Sequence, residues 1–215
     1  ALGQSRVLGI PFRVGVITNV THEHLDWHGT FENYLATKLS LLKRSAISVV
    51  NRDEADLYAA AIPIIKNKRY VTYGIRRGSM VNPRSHPFKT MLPGEFNRYN
   101  MLAAIATAEV LGVKPVIWKR AVSTFIGVIG RMEVVAKKPC MVIVDFAHTP
   151  NALDNALKTV RKMTKKRVIH VFGSAGLRDR SKRPMMGAAS AAYADISIIT
   201  EEDYRTEDVE TIISE

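Results

Sequence analysis

Between residues 141 and 200 short apolar runs alternate with helical patterns, and few folds accept that order. Residues 141–145, 167–172 and 196–200 read as strands, and the stretches opening at Thr149 and near Met185 read as helices. A β-α-β-α-β order calls for parallel strands joined by right-handed crossovers, with helices packed on the sheet. The N-terminal half follows the same grammar. Residues 14–19, 46–51 and 70–74 are buried-strand text, and residues 30–44 and 53–61 are helical. A further helix runs from about Asn97 to Gly112, with Asn97 as its expected N-cap. Gly127 and Gly130 mark a change of pattern between the halves, so the chain is read as two α/β domains, residues 1–129 and 130–215. The first is a mainly parallel sheet with flanking helices, and the second is the first βαβαβ half of a Rossmann-like domain.

Past the first strand, residues 22–28 crowd His22, Glu23, His24, Asp26 and His28 into one run, where open α/β sheets bind ligands. The helix that follows is capped by Thr30 and carries a stripe of Phe31, Tyr34, Leu35, Leu39 and Leu42. Lys38 lies on that stripe. A bare ammonium there is costly unless it is paired or chemically changed. Carbamylation would give it oxygen donors for a hard cation such as Mg2+; snorkelling past the stripe to solvent is the plainer alternative. His22-x-His24-x-Asp26 also opens the zinc motif of metallo-β-lactamase-like hydrolases. Trp27 stands where that motif needs histidine, and no later histidine pattern completes two zinc sites.

The formal charge of +11 admits nucleic acid or small polyanions as partners. Many of the cations fall within residues 158–183, in helix and loop text, without the aromatic interleaving of single-strand binders. Nucleotides and nucleotide sugars explain the excess more economically. One cysteine, Cys140, excludes an internal disulfide framework. The longest apolar run, residues 101–113, is too short for a membrane span and contains Glu109. A cytoplasmic monomer is expected, with no nucleic-acid or membrane partner.

Several longer motifs then occur in order: N-V-T-H-E-H-L-D-W-H-G with E-N-Y-L-A-T-K, G-E-F-N-R-Y-N at 94–100, G-R-M-E at 130–133, D-F-A-H-T-P at 145–150, and F-G-S-A-G-L-R-D-R-S-K-R-P at 172–184. Over essentially the whole chain they resemble the Mur ligases, most closely those of the MurE type. That resemblance implies an ATP-dependent amide-bond ligase adding meso-diaminopimelate or L-lysine to UDP-N-acetylmuramoyl-L-alanyl-D-glutamate in peptidoglycan synthesis. It puts Mg2+ on His24 and a carbamylated Lys38, and ATP near Asn97, Asn100, Arg131, Asp145 and His148. It puts the UDP-sugar-peptide at Gln4 and Arg6, the incoming amino acid at Arg178, and phosphate charge at Lys182 and Arg183. Plainer roles stand beside these: loop polars for Gln4 and Arg6, pairing near Glu133 for Arg131, a loop tie for His148.

Enzymes using meso-diaminopimelate have D-N-P-R where this chain has Glu202, Asp203, Tyr204 and Arg205. Only the arginine is unchanged, which leaves the added residue open. A folylpolyglutamate or cyanophycin synthetase-like ligase is the alternative, and the Q-x-R at Gln4–Arg6 and the 202–205 loop argue against it. Residues 75–93, with three prolines, read as a loop where relatives carry a longer strand-rich insertion. No G-x-x-x-x-G-K-[ST] occurs. Mur ligases carry that loop upstream, so the expectation is the middle of a longer enzyme, inactive alone.

Overall fold

Parallel pairing organises the N-terminal half. A computed structural model describes residues 1–21 and 25–215, with backbone alone at 25 and 26, and it divides into two units, residues 1–126 and 127–215. In the first, β1 (Phe12–Ile17), β2 (Ser45–Asn51) and β3 (Arg69–Tyr73) form a parallel sheet in that order. Val14 stands opposite Ile47, and Val49 opposite Val71. Helices α1 (Leu25–His28) and α2 (Phe31–Arg44) link β1 to β2, and α3 (Ala55–Ile65) links β2 to β3. Helices α4 (Glu95–Val110) and α5 (Pro115–Thr124) follow.

The central strand is apolar on both faces, as a parallel strand must be when helices cover each side. Ile47 and Val49 join Tyr73, Leu102, Ile105 and Trp118 under α4 and α5. Val50 joins Ile17, Leu39, Leu42, Leu57 and Ile65 under α2 and α3. Both ends of α2 are fastened. Thr30 Oγ1 accepts the Asn33 amide at 3.2 Å, the N-cap read from sequence. At the other end the Lys68 ammonium donates to the Leu42 and Lys43 carbonyls at 3.1 and 2.7 Å, a cation on the negative end of the helix.

One expectation in this unit is corrected, and another is kept with a refinement. Helix α4 begins at Glu95 behind Gly94, so Asn97 lies inside its first turn and is not the cap. The 75–93 loop is also less irregular than it reads, since Val81 bridges Tyr73 in parallel and its amide donates to the Thr72 carbonyl at 2.9 Å.

The second unit contains β4 (Glu133–Ala136), β5 (Val142–Val144), α6 (Pro150–Met163), β6 (Ile169–Phe172), α7 (Lys182–Tyr193), β7 (Ile196–Ile199) and α8 (Val209–Ser214). As expected, β6 and β7 are parallel, Ile169 opposite Ile196, with α7 as the crossover. Strand β5 departs from the expected parallel set. It pairs antiparallel with β4, Glu133 opposite Val144, in a separate two-stranded ladder. Three residues offer a short ladder, and the adjacent β4 closes on it through a short loop at little entropic cost. Thr149 caps α6, with Pro150 at its first position, and Leu153 and Leu157 pack on Met186 of α7. Helix α7 starts at Lys182, a turn earlier than the sequence indicates. Among the described residues no helix is long and apolar enough to cross a membrane.

A polar relay pins α7 to this sheet. His170 Nδ1 and Ser190 Oγ lie 2.8 Å apart, and Ser190 Oγ lies 2.7 Å from Ser197 Oγ. Ser190 is fully buried. Burial pushes the His170 imidazole below its ordinary pKa, so the unfolded chain takes up a proton that the folded one resists. The stability from a neutral His170 is therefore complete above about pH 6.5 and lost progressively below it. Urea unfolding midpoints from pH 7.5 to 5 are expected to fall more steeply for the wild type than for His170→Asn; parallel curves would contradict this.

Candidate functional site

In the second unit the end of β5 and the start of α6 gather four of the residues singled out in the sequence. Asp145 Oδ2 accepts the Met132 amide at 2.7 Å, and its Oδ1 accepts the Ala147 amide at 2.8 Å. Met132 has φ of 49°, a left-handed conformation that a non-glycine residue holds only when its surroundings impose it. Glu133 pins the same turn by accepting the Gly130 amide at 2.8 Å. The Arg131 guanidinium lies 4.1 Å from the centre of the Phe146 ring. That ring meets His148 edge-on at 4.9 Å, and His148 Nδ1 lies 3.0 Å from the Phe146 carbonyl. Lys182 closes the group, its ammonium donating to the His148 carbonyl at 3.0 Å. Arg131, Asp145, His148 and Lys182 thus gather on residues 146–148, just ahead of a capped helix whose positive end favours anions.

Two loops stand at the ends of the parallel pair in this unit. Residues 173–181 carry Arg178, and residues 200–208 carry Glu202, Asp203 and Arg205, all exposed. The Gly176 amide donates to the Asp203 carbonyl at 2.9 Å, and Arg205 Nε donates to Asp203 at 3.3 Å. Arg183, expected beside Lys182 at phosphate charge, does not face solvent and is corrected to a structural cation. It is buried and ion-paired to Glu207 and Glu215 at 2.8 and 2.6 Å.

In the first unit Asn97 is buried in α4. Its Nδ2 donates to the Pro93 carbonyl at 2.7 Å, and its Oδ1 accepts from the exposed Asn100 at 3.4 Å. This turn is fixed from behind by a residue that the sequence reading passed over. Asp53 Oδ2 accepts the Ile75 and Arg76 amides at 2.7 and 2.9 Å and the Tyr99 hydroxyl at 2.9 Å. Burial, then that hydrogen bond, pushes the Tyr99 hydroxyl above its ordinary pKa. The only local signal was Asn51-x-Asp53, whose Asn51 side chain accepts the Asp53 amide at 3.1 Å.

Gln4 and Arg6 are exposed in the N-terminal turns. Beside them an open cleft of about 590 Å3 is lined by Leu2, Gly3, Ser5, Trp27, His28 and Arg44, among others. Lys38 is half-buried at the flank of the α2 stripe, and its ammonium sits 5.2 Å from the centre of the Tyr34 ring. It is therefore not turned fully into the core, where Tyr34, Leu39 and Leu42 point. Position 38 falls beside Tyr34, and the ring face stabilises the cation at the edge of the core. His22, Glu23 and His24 lie outside the described residues, as does the Asp26 side chain. Among the described residues no trio of His, Cys, Asp or Glu stands ready for a metal. The donor chemistry nonetheless suits Mg2+ at Lys38, since a partly accessible amine can carry a carbamate and a carbamate offers the oxygens that Mg2+ prefers.

Residues 1–108 match the family model of the Mur ligase middle domain, and residues 130–215 match that of the Mur ligase glutamate ligase domain. The chain belongs to the Mur ligase family. Within it, the chain is 39% identical to the UDP-N-acetylmuramoyl-L-alanyl-D-glutamate--2,6-diaminopimelate ligase of Synechocystis sp., over all of this chain and 47% of that protein. To the ligase of the same name from Aquifex aeolicus it is 38% identical, over all of this chain and 48% of that protein. The chain spans about half the length of the curated relatives it matches. A solved structure of such a ligase is 31% identical with a TM-score of 0.63, covering 99% of this chain and 48% of that one. Mycobacterium tuberculosis folylpolyglutamate synthase complexed with ADP and AMPPCP shares the fold at a TM-score of 0.74, covering 95% of this chain and 51% of that one, at 18% identity.

Asp145→Ala removes both acceptors that hold residues 130–147 in place. The Met132 and Ala147 amides are expected to exchange with deuterium about ten-fold or more faster, from the loss of charge-assisted hydrogen bonds, while amides of the β1–β3 sheet are unaffected. Unchanged exchange at Met132 and Ala147 would contradict this reading of the carboxylate.

Proposed function

We propose that this chain carries the nucleotide- and acceptor-handling chemistry of an ATP-dependent ligase that joins 2,6-diaminopimelate to UDP-N-acetylmuramoyl-L-alanyl-D-glutamate. The observation that carries the proposal is similarity along the entire chain, 38–39% identity to ligases bearing that name. No comparable identity supports a folylpolyglutamate-type substrate, for which the fold alone speaks. The peptidoglycan precursor is made in the cytoplasm, and we place the protein there.

In this reading ATP phosphorylates the glutamate carboxylate, and the acceptor amine attacks the acyl phosphate and displaces phosphate. Arg131, His148 and Lys182 face the nucleotide, supplying positive charge and hydrogen-bond donors beside the α6 N-terminus, where transferring phosphate is stabilised. Asp145 keeps the Arg131 turn in place. Asn97 and Asn100 hold the base. Gln4 and Arg6 bind the UDP-sugar-peptide, Arg6 through a planar fork suited to phosphate or carboxylate. Arg178 and Arg205 bind the carboxylates of diaminopimelate, while Glu202 and Asp203 attract its ammonium groups. His24 and carbamylated Lys38 would hold Mg2+, whose chemistry is neutralisation of charge between ATP and the carboxylate. A zinc hydrolase at His22, His24 and Asp26 finds no support in the relatives.

The test uses the protein expressed from its complete reading frame, with ATP, the UDP-dipeptide and a panel of amino acids. Tripeptide and ADP are expected with 2,6-diaminopimelate, and product formed only with another amino acid would overturn the acceptor assignment. Lys38→Ala is expected to abolish ligation, with no recovery in bicarbonate; a largely active variant would refute the carbamate.

A further inference from the structure

The loops after β6 and β7 leave the same end of a parallel pair, because Phe172 stands opposite Ile199. They are also laced together more tightly than neighbouring loops need be. A Cβ at Gly173 would collide with the Thr200 carbonyl oxygen, and one at Gly176 with the Tyr204 carbonyl. Only glycine lets the two backbones approach this closely. Beyond the Gly176–Asp203 backbone bond, the lacing depends on one carboxylate. Glu207 accepts the Leu177 amide at 2.8 Å and takes Arg183 in a two-pronged grip, 3.0 Å to Nη1 and 2.8 Å to Nη2. The Arg183 side chain is 2% exposed. Such a guanidinium holds its carboxylate firmly, because separating them leaves a buried charge uncompensated. Glu215 grips Arg183 from a second side at 2.6 Å, and Arg180 pairs with Glu215 too.

Leu177 adjoins Arg178, and Glu207 follows Arg205 by two residues. One carboxylate therefore sets the spacing between the two groups of side chains assigned above to the incoming amino acid. We propose that Glu207 is a positioning residue for the acceptor: acting through Leu177 and Arg183, it makes the 173–181 and 200–208 loops one preorganised recognition surface. The inference rests on the ligase reading for its substrate and on geometry alone for the clamp. Neither Glu207 nor Arg183 needs to touch the amino acid.

Two variants of the full reading frame test it. Glu207→Gln keeps the size of the side chain and removes its charge. Gly176→Ala leaves every charge in place and forces the loops apart. Both are expected to raise KM for 2,6-diaminopimelate about ten-fold or more, from the loss of charge-assisted contacts or of preorganisation, while KM for ATP and for the UDP-dipeptide is unchanged. In Glu207→Gln the Gly176 and Leu177 amides are expected to exchange faster with deuterium. An unchanged acceptor KM in both variants would overturn the proposal, as would a rise of all three KM values together, which signals general damage. If the wild type makes no diaminopimelate product, the ligase reading fails; the exchange measurement still decides the clamp, and unchanged exchange at Gly176 and Leu177 refutes it.

Discussion

A carboxylate accepting backbone amides is the interaction on which the loops of both units depend. Asp53 gathers the Ile75 and Arg76 amides, Asp145 those of Met132 and Ala147, and Glu207 that of Leu177. Asp195 does the same for Val168 at 2.6 Å while pairing with Arg161. Asp53 and Asp145 sit just past the ends of β2 and β5, Asp195 just ahead of β7 and Glu207 just ahead of α8, where amides would otherwise lack partners. In a chain of net charge +11, these acids are committed to holding the backbone. Some of the cations are committed in the same way, Arg161 to Asp195, Arg183 to Glu207 and Glu215, and Lys68 to the end of α2.

The same division of labour explains how a small parallel framework supports a polar site. The sheet and its helices fix strand ends to within the tolerance of close packing. The loops then need only one or two strong fasteners each to hold arginines and lysines in a set geometry. Met132 shows what such fastening can carry, since its left-handed backbone is held by Asp145 on one side and by the Gly130–Glu133 turn on the other. Arg183 shows the reverse case. A cation inside a matched motif is structural here, buried between Glu207 and Glu215, while Arg178 in the same motif is exposed.

Much of this was legible where the signal is local. The α2 stripe with its Thr30 cap and the Thr149–Pro150 start of α6 are patterns spanning three or four residues, and the structure keeps them. Short-range text misled in two places. Asn97 looks like a cap because asparagine favours that position, yet the turn at Gly94, with φ of 92°, starts α4 before it. Glu133–Ala136 is too short to show alternation, so the antiparallel partner of β5 went unseen. Long-range partners are silent in a single sequence. Nothing near Glu207 announces a guanidinium 24 residues upstream, and nothing near Asp53 announces Tyr99, 46 residues on. Lys38 lies between these cases, since its place on the stripe was readable and its rest against Tyr34 was not.

The central proposal is that the residues gathered at the start of α6 meet a nucleotide. Histidine-selective NMR of the protein from its complete reading frame, titrated with ATP, tests this directly. Saturable shifts of the His148 imidazole are expected, lost in Lys182→Ala, with the half-buried His170 in the same unit unmoved. Shifts absent at His148 while ATP demonstrably binds would contradict it.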